Sequence, residues 1–298
     1  MTSSLKGLKV AVLGGDQREA FLAKKLAESG CAVSVAGLLA QGENINLCED
    51  LDEALNGVQV IVLPVPGIND SREIYSPCST KTLILSEEIL AGLPPGVLLF
   101  VGTARPILKD MVARHGLQLI ELLNLDEVAI LNSIPSAEGA IQIAMEKLPT
   151  TIHGTRSFVL GFGRTGITLA RMLTVLGSMT TVVARNPAQR ARAVEMNCTA
   201  CNFNELPGLI GQAELIFNTV PYLVLDEQLL KKVHEGVLIV DLASFPGGTD
   251  FEAARRLGIN AALAPGLPGK VAPKTAGKIL AEVLPRLIAS KLALSNLT

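Results

Sequence analysis

The chain has 298 residues, of which 49% are hydrophobic and 3% aromatic, and its formal net charge is −2. A chain of this length can bury two hydrophobic cores, and a composition rich in Val, Ile, Leu and Ala is typical of buried parallel strands. Tryptophan is absent and the basic residues form no stripe interleaved with aromatics. These features argue against nucleic acid as a partner.

The mean hydropathy of +0.41 raises the question of membrane insertion. The longest uncharged runs, such as residues 89–104, contain Gly and Pro and fall short of the ~18 apolar residues that a spanning helix needs. Residues 1–15 lead directly into a strand, without an apolar signal core or a small-residue cleavage site. The sequence therefore predicts a cytoplasmic protein with no membrane partner.

The first part of the chain alternates short apolar runs with helical patterns, which predicts a doubly wound parallel sheet. The predicted strands are 9–13, 32–35, 59–63, 82–85, 97–101 and 117–121, with helices such as 18–28 and 107–115. We expect these elements to form an N-terminal substrate domain over residues 1–133.

A helix start in this domain is a candidate anion site. The segment Gly14-Gly15-Asp16-Gln17-Arg18 follows the first strand and opens its helix, so that amide donors and Arg18 could meet a substrate carboxylate. The alternative is that Asp16 only caps the helix.

Polar residues at 132–139 open an amphipathic helical pattern at 136–148, which Pro149 ends. The pattern predicts a helix that connects two domains, with its opening segment on the side of an interdomain cleft. Ser133 and Glu138 are candidate catalytic residues, Glu138 as a general acid or base. Alternatively, Glu138 complements the dipole in the first turn of the helix.

Residues 156–185 have the pattern of a strand, a Gly-x-Gly-x-x-Gly turn, a helix and a second strand, which predicts dinucleotide binding. Gly161 permits the turn, Gly163 lets the backbone approach a pyrophosphate, and Gly166 lets the helix pack closely. Thr165 belongs to the same turn, and Arg164 could contact a phosphate or point to water.

The end of the second strand indicates which dinucleotide is bound. Arg185-Asn186 stands where an NAD site usually has an acid, and Arg190 adds a cation one helical turn later. These residues predict NADP. The alternative, that Arg185 and Arg190 only solvate a surface turn, does not explain the missing acid.

Apolar runs at 214–219, 237–241 and 259–263 predict further strands of an NADP-binding domain over residues 134–271. The loops after the first two contribute Thr219, Pro221, Ala243 and Ser244 to the predicted cofactor site. A final helix is predicted at 274–292, and we expect the tail, 272–298, to pack back on the first domain, by analogy with two-domain dehydrogenases.

The segment before the final helix argues against one class of dehydrogenase. A D-2-hydroxyacid dehydrogenase would need a histidine there, but residues 266–270 read Gly-Leu-Pro-Gly-Lys. Lys274 could instead pair with a substrate carboxylate, or it could be a solvated lysine. The pair Cys198-x-x-Cys201 stands without a second pair or a histidine cluster, so no metal site is predicted.

Several motifs resemble those of the dipicolinate synthase A-subunit family almost end to end. The specific motifs are Asp241-Leu242-Ala243-Ser244 with Pro246-Gly247-Gly248-Thr249-Asp250-Phe251, and Ala264-Pro265-Gly266-Leu267-Pro268-Gly269 leading to Ala272-Pro273-Lys274-Thr275-Ala276-Gly277. Phe245 departs from the family pattern, in which a basic residue often precedes Pro-Gly-Gly.

The resemblance implies an NADP-linked conversion of 4-hydroxy-tetrahydrodipicolinate to dipicolinate in the mother cell of a sporulating bacterium. It also implies a partner, the flavoprotein-like B subunit of dipicolinate synthase, and we expect a homo-oligomer. Arg18 and Lys274 would then bind the substrate carboxylates, and Glu138 would transfer protons. Two alternatives stay open: an NADP-dependent reductase or dehydrogenase of another imino or keto diacid, and a non-catalytic NADP-sensing subunit.

Overall fold

The computed structural model describes residues 5–295 as two compact units. Unit 1 comprises the described parts of residues 1–129 and 273–298, and unit 2 comprises residues 130–272. Each unit contains one six-stranded, all-parallel sheet with helices between successive strands. The predicted fold class, two doubly wound parallel-sheet α/β domains, is therefore confirmed.

The strand order of the unit 1 sheet is β3-β2-β1-β4-β5-β6. The central strand β1 pairs with β2 from Lys9↔Ala32 to Leu13↔Ala36 and with β4 from Val10↔Val60 to Val12↔Val62. The strands are β1 (Lys9–Leu13), β2 (Ala32–Ala36), β3 (Ile45–Cys48), β4 (Val60–Val62), β5 (Leu98–Val101) and β6 (Gln118–Glu121). The helices are α1 (Gln17–Glu28), α2 (Leu51–Ala54), α3 (Glu87–Ala91) and α4 (Pro106–Arg114).

Two strand assignments in unit 1 differ from the sequence-based ones. The strand predicted at residues 82–85 is wrong, because only Ile84 forms an isolated antiparallel bridge, with Glu73. The strand β3 was not predicted, since it lies at the sheet edge and none of its four residues is buried. An edge strand buries little surface and so carries a weak sequence signal.

Helix α5 (Asp126–Lys147) begins ten residues before the predicted start at Ser136. The predicted polar opening segment at 132–139 is therefore helical, and Glu138 does not lie in a first helical turn. Gly139 has a packing reason, because a Cβ there would lie 3.1 Å from the Val271 side chain.

The strand order of the unit 2 sheet is β12-β11-β10-β7-β8-β9. Its strands are β7 (Arg156–Leu160), β8 (Met179–Val183), β9 (Thr199–Cys201), β10 (Leu215–Asn218), β11 (Leu238–Asp241) and β12 (Asn260–Leu263). The helices between them are α6 (Arg164–Val175), α7 (Pro187–Glu195), α8 (Leu206–Leu209), α9 (Glu227–Leu230), α10 (Phe251–Arg256) and α11 (Leu267–Val271). Both faces of this sheet carry a buried apolar layer, as expected for a parallel sheet covered by helices.

The last helix, α12 (Pro273–Ser295), packs against α1 in unit 1. The two backbones approach closely at Gly277, where a Cβ would lie 3.1 Å from Arg18 Cα and 3.0 Å from Phe21 Cβ. Further along α12, Arg286 forms an ion pair with Glu127 at 2.6 Å. Within residues 5–295, no helix is both long enough and apolar enough to cross a membrane.

Candidate functional site

The glycine turn after β7 folds tightly on itself. Gly161 has a φ of +90°, and a Cβ there would lie 2.5 Å from Thr219 Oγ1. A Cβ on Gly166 would collide with the carbonyl oxygen of Gly161. Both positions therefore need glycine for the turn itself, before any ligand is considered.

Gly163 differs from the other two glycines because the space around it is open. It caps α6 with an extended backbone, its φ is −88°, and a Cβ there would meet no atom within 4 Å. Arg164 and the half-buried Thr165 are the first residues of the helix, whose amide donors no side chain caps. An uncrowded helix N-terminus of this kind fits the pyrophosphate of a dinucleotide.

Arg185 lies at the carboxyl end of β8 with an exposed side chain. Asn186 caps α7, its Oδ1 accepting a hydrogen bond from the Ala188 amide at 2.8 Å. Arg190 turns back from α7, and its Nη1 donates to the carbonyl oxygens of Ala184 (2.9 Å) and Arg185 (2.7 Å). The side chain of Arg190 therefore holds the backbone that presents Arg185.

A second link from α7 was not predicted from the sequence. Gln189 Nε2 donates to the carbonyl oxygen of Phe162, inside the glycine turn, at 3.0 Å. This bond ties the glycine turn to the same helix that holds the end of β8. No motif marks Gln189, since its role depends on how α7 lies against the turn.

The loops after β10 and β11 are held by a buried carboxylate. Asp241 is fully buried, and its Oδ1 accepts from Asn218 Nδ2 and the Ala243 amide, each at 3.0 Å. Its Oδ2 accepts from the Gly248 amide at 2.9 Å and from Thr249 Oγ1 at 2.7 Å. Four donors, one at the end of β10 and three in the loop after β11, thus converge on one side chain.

These loops carry the predicted cofactor residues of the later strands. Thr219 Oγ1 donates to the carbonyl oxygen of Leu160 at 2.9 Å, which joins the loop after β10 to the glycine turn. Pro221 and Ser244 are exposed, whereas Ala243 is buried with its amide bound to Asp241. Phe245, next to Ser244 in the second loop, is 84% exposed.

At the carboxyl end of β1, in unit 1, Asp16 and Arg18 form a two-pronged ion pair. Arg18 Nε donates to Asp16 Oδ1 at 2.9 Å and Nη2 to Oδ2 at 2.8 Å, and Arg18 is only 7% exposed. Asp16 also caps α1, in a capping box completed by Glu19. Burial acts to raise the pKa of Asp16, but its hydrogen bonds with Arg18 outweigh burial and hold that pKa below its usual value.

Glu19 is a buried residue that binds the backbone of this ion pair. Its Oε2 accepts from the Asp16 amide at 2.9 Å, and its Oε1 accepts from the Val65 amide at 3.0 Å, so it joins the loops after β1 and β4. Burial raises the pKa of Glu19 although the charge of Arg18 opposes the shift.

Lys274 is the second residue of α12, and its side chain is exposed. It lies one helical turn before Gly277, which contacts the backbone of Arg18. Lys274 therefore precedes by one turn the point at which α12 meets Arg18, although more than 250 residues separate the two in sequence.

Ser133 and Glu138 lie on α5 at different depths. Ser133 is 1% exposed, and its Oγ lies 2.6 Å from Thr168 Oγ1, so it joins α5 to α6. Glu138 lies on the wall of a groove that also contains Arg171 and Leu176, near the end of α6 opposite the glycine turn. The structure therefore does not bring Glu138 together with the glycine turn.

The cysteines are free thiols, with Cys31, Cys198 and Cys201 buried. Over residues 5–295, no group of three or more His, Cys, Asp and Glu side chains is placed to hold a metal ion.

Comparison with known proteins identifies relatives over nearly the whole chain. Residues 9–123 match the family described as the N-terminal domain of the dipicolinate synthase A subunit. The A subunit of dipicolinate synthase from Bacillus subtilis (strain 168) is 38% identical over 288 residues, which cover 96% of this chain and 97% of that protein. The chain belongs to the dipicolinate synthase A-subunit family. The resemblance inferred from its motifs is confirmed.

Solved structures of two relatives share the fold. The A subunit of dipicolinate synthase from Bacillus halodurans is 36% identical with a TM-score of 0.93, covering 96% of this chain and 99% of that one. The Bacillus subtilis structure is 38% identical with a TM-score of 0.91, covering 97% and 98%. D-lactate dehydrogenase from Escherichia coli, at 17% identity and a TM-score of 0.64 over 96% and 98%, shares only the dehydrogenase-like fold.

Proposed function

We propose that this chain is the NADP-dependent oxidoreductase subunit that converts 4-hydroxy-tetrahydrodipicolinate to dipicolinate. Membership of the dipicolinate synthase A-subunit family supports the product. The observation that carries the cofactor assignment is the end of β8, where the exposed Arg185 stands beside the glycine turn in place of an acid.

In this proposal NADP lies along the carboxyl edge of the unit 2 sheet. The open turn at Gly163 would hold its pyrophosphate, and Arg185 with the Asn186 amide group would hold its 2′-phosphate. Arg190 already donates to two backbone carbonyls, so its main role is to fix the loop that carries Arg185. Thr219, Pro221, Ala243 and Ser244 border the ribose and nicotinamide.

The substrate carries two carboxylates, and we assign their binding to unit 1. The Asp16–Arg18 pair is neutral as a whole. Lys274, at the start of α12, then adds the net positive charge that attracts an anion. In this arrangement Asp16 orients the Arg18 guanidinium, whose remaining edge meets a carboxylate.

The proposed reaction removes one water and two hydrogens from the substrate ring. NADP would accept one hydrogen as a hydride, and the other would leave as a proton. The aromatic pyridine ring of the product supplies driving force, so the protein mainly positions the two reactants. We further propose that a flavoprotein-like B subunit contributes and that both proteins act in the cytoplasm of the mother cell.

The test is an assay on freshly generated 4-hydroxy-tetrahydrodipicolinate with NADP, following dipicolinate absorbance and NADPH absorbance together. The purified chain is assayed alone and with a candidate B subunit, and NAD replaces NADP in a matched reaction. We expect one NADPH for each dipicolinate and a much slower reaction with NAD. NADPH formed only from another diacid, or cofactor binding with no turnover even when the B subunit is present, would overturn the proposal.

A further inference from the structure

A groove of about 730 Å³ runs between α5 and α6 in unit 2. Ser133 and Thr168, which precede the groove residues on the two helices, join α5 to α6, and their hydroxyl oxygens lie 2.6 Å apart. The α6 side of the groove lies near the carboxyl end of that helix, away from the glycine turn. Its walls are Glu138, Ile141, Gln142, Met145 and Glu146 on α5, and Arg171, Met172, Val175 and Leu176 at the end of α6.

The walls of this groove expose large apolar side chains. Met145 on α5 is 54% exposed, and on the α6 side Val175 is 83% and Leu176 is 38% exposed. Ile141 and Met172 line the groove between them, so the apolar surface continues from one helix to the other. A contiguous apolar surface with a polar rim is typical of a protein–protein contact.

The rim of the groove carries opposite charges that are not paired within the chain. Glu138 is exposed on the α5 wall and Arg171 on the α6 wall. In the part of the chain that the structure describes, neither side chain forms a hydrogen bond or an ion pair. Each wall therefore presents a charge that the opposite wall of another copy could neutralise.

We propose that the α5–α6 groove is a self-association surface whose occupant is a second copy of this chain. A twofold axis along the groove brings the α5 wall of one copy against the α6 wall of the other. Glu138 of each copy then faces Arg171 of the other, so the same ion pair forms twice. The second copy also covers Met145 and Val175. A patch with both signs of charge around an apolar centre complements itself, whereas a partner of one charge sign would leave one wall unpaired.

This inference is independent of the proposed function, because the groove does not include the glycine turn or the Asp16–Arg18 pair. None of the proposed cofactor residues lines the groove.

The test begins with the mass of the full chain in solution, measured by light scattering across a dilution series. We expect a dimer. Val175→Glu should raise the dimer dissociation constant about a hundredfold or more, since two glutamates would be buried in an apolar contact. Val194→Glu is the matched control, because Val194 lies on α7 in the same unit and is 60% exposed. Thermal unfolding and NADPH binding check that both variants are folded.

A charge-reversal cycle tests the geometry itself. Glu138→Arg and Arg171→Glu should each weaken the dimer about tenfold, and the double variant should restore it, because the charges are exchanged between the walls. A monomeric parent chain, a Val175→Glu variant as dimeric as Val194→Glu, or a double variant no tighter than the single ones would each overturn the proposal. A monomeric parent whose Val175→Glu variant no longer binds the B subunit would assign the groove to that protein instead.

Discussion

Arg190 uses one guanidinium nitrogen, Nη1, to bind the carbonyl oxygen of Arg185, at 2.7 Å. The same nitrogen binds the carbonyl oxygen of Ala184, so a side chain on α7 fixes the last residues after β8. Two neighbouring cations thus have different environments. Arg185 is exposed and available to a phosphate, whereas Arg190 shapes the loop.

This difference predicts different effects on the two nicotinamide cofactors. Arg185→Asp should weaken NADPH binding roughly 50-fold, since it removes a charge-assisted contact and adds repulsion, and should change NADH binding less than about threefold. Arg190→Lys should weaken both cofactors by similar factors, because it loosens a loop that both use. Fluorescence titration with each cofactor measures these constants. Equal losses for the two cofactors in Arg185→Asp would show that the NADP assignment is wrong.

The hydrogen bonds of Asp241 predict that even its replacement by asparagine strongly destabilises the protein. Its carboxylate accepts hydrogen bonds from four donors while fully buried, and an asparagine can offer only one oxygen to them. Asp241→Asn should lower the free energy of unfolding by about 2–4 kcal/mol.

The control for this prediction is Asp70→Asn. Asp70 pairs with Arg105, but its side chain is 84% exposed, so the cost should stay below about 1 kcal/mol. Chemical denaturation of both variants gives the comparison. Equal losses of stability would mean that the four bonds to Asp241 contribute little beyond an exposed pair.

These residues also show which parts of the site a sequence can predict. The glycine turn and Arg185 are recognised because their spacing is local to one strand–helix–strand unit. Asp241 was noticed only as part of a motif, since its donors come from the end of β10 and from the loop after β11, which the sheet topology brings together. The pairing of Gln189 with Phe162 likewise depends on tertiary packing and leaves no sequence signal.

For helix α5, the sequence-based prediction of where the helix begins was wrong. The polar segment at 132–139 was predicted to open a helix at residue 136, but α5 begins at Asp126, so Glu138 does not lie in its first turn. Residues of that segment have packing partners that the local pattern does not show, since Gly139 gives room for Val271 and Ser133 bonds with Thr168 on α6. The start of a long helix therefore could not be located from its polar residues alone.

Glu19 should make stability depend on pH in a defined direction. Burial raises its pKa in the folded protein above the usual 4.5, so folding favours the protonated form. The associated stability is fully present below pH 4.5 and is lost as the pH rises through the folded-state pKa. Glu19→Gln removes this dependence, because glutamine does not titrate.

The measurement is the free energy of unfolding of the parent chain and Glu19→Gln at several pH values from about 4.5 upward. The free energy of unfolding of the parent chain, relative to that of Glu19→Gln, should fall as the pH rises. Glu28→Gln, at an exposed position on the same helix, should leave the pH dependence unchanged. A constant difference between the parent chain and Glu19→Gln would mean that the Glu19 carboxyl titrates alike in the folded and unfolded states.

The three glycines of the turn predict a separation between folding and cofactor binding. Gly166→Ala should destabilise unit 2 by about 1–3 kcal/mol, because its Cβ collides with the Gly161 carbonyl oxygen. Gly163→Ala should leave stability nearly unchanged, since its φ of −88° suits alanine and its Cβ meets nothing within 4 Å.

Gly163→Ala should nevertheless weaken NADP binding about tenfold or more, because the pyrophosphate would occupy the space that the new methyl group takes. Gly208→Ala is the control, as a Cβ at Gly208 also enters open space, but on α8. Thermal unfolding and NADPH titration of the three variants separate the two effects. If Gly163→Ala binds NADPH as tightly as Gly208→Ala does, the pyrophosphate does not lie against this turn.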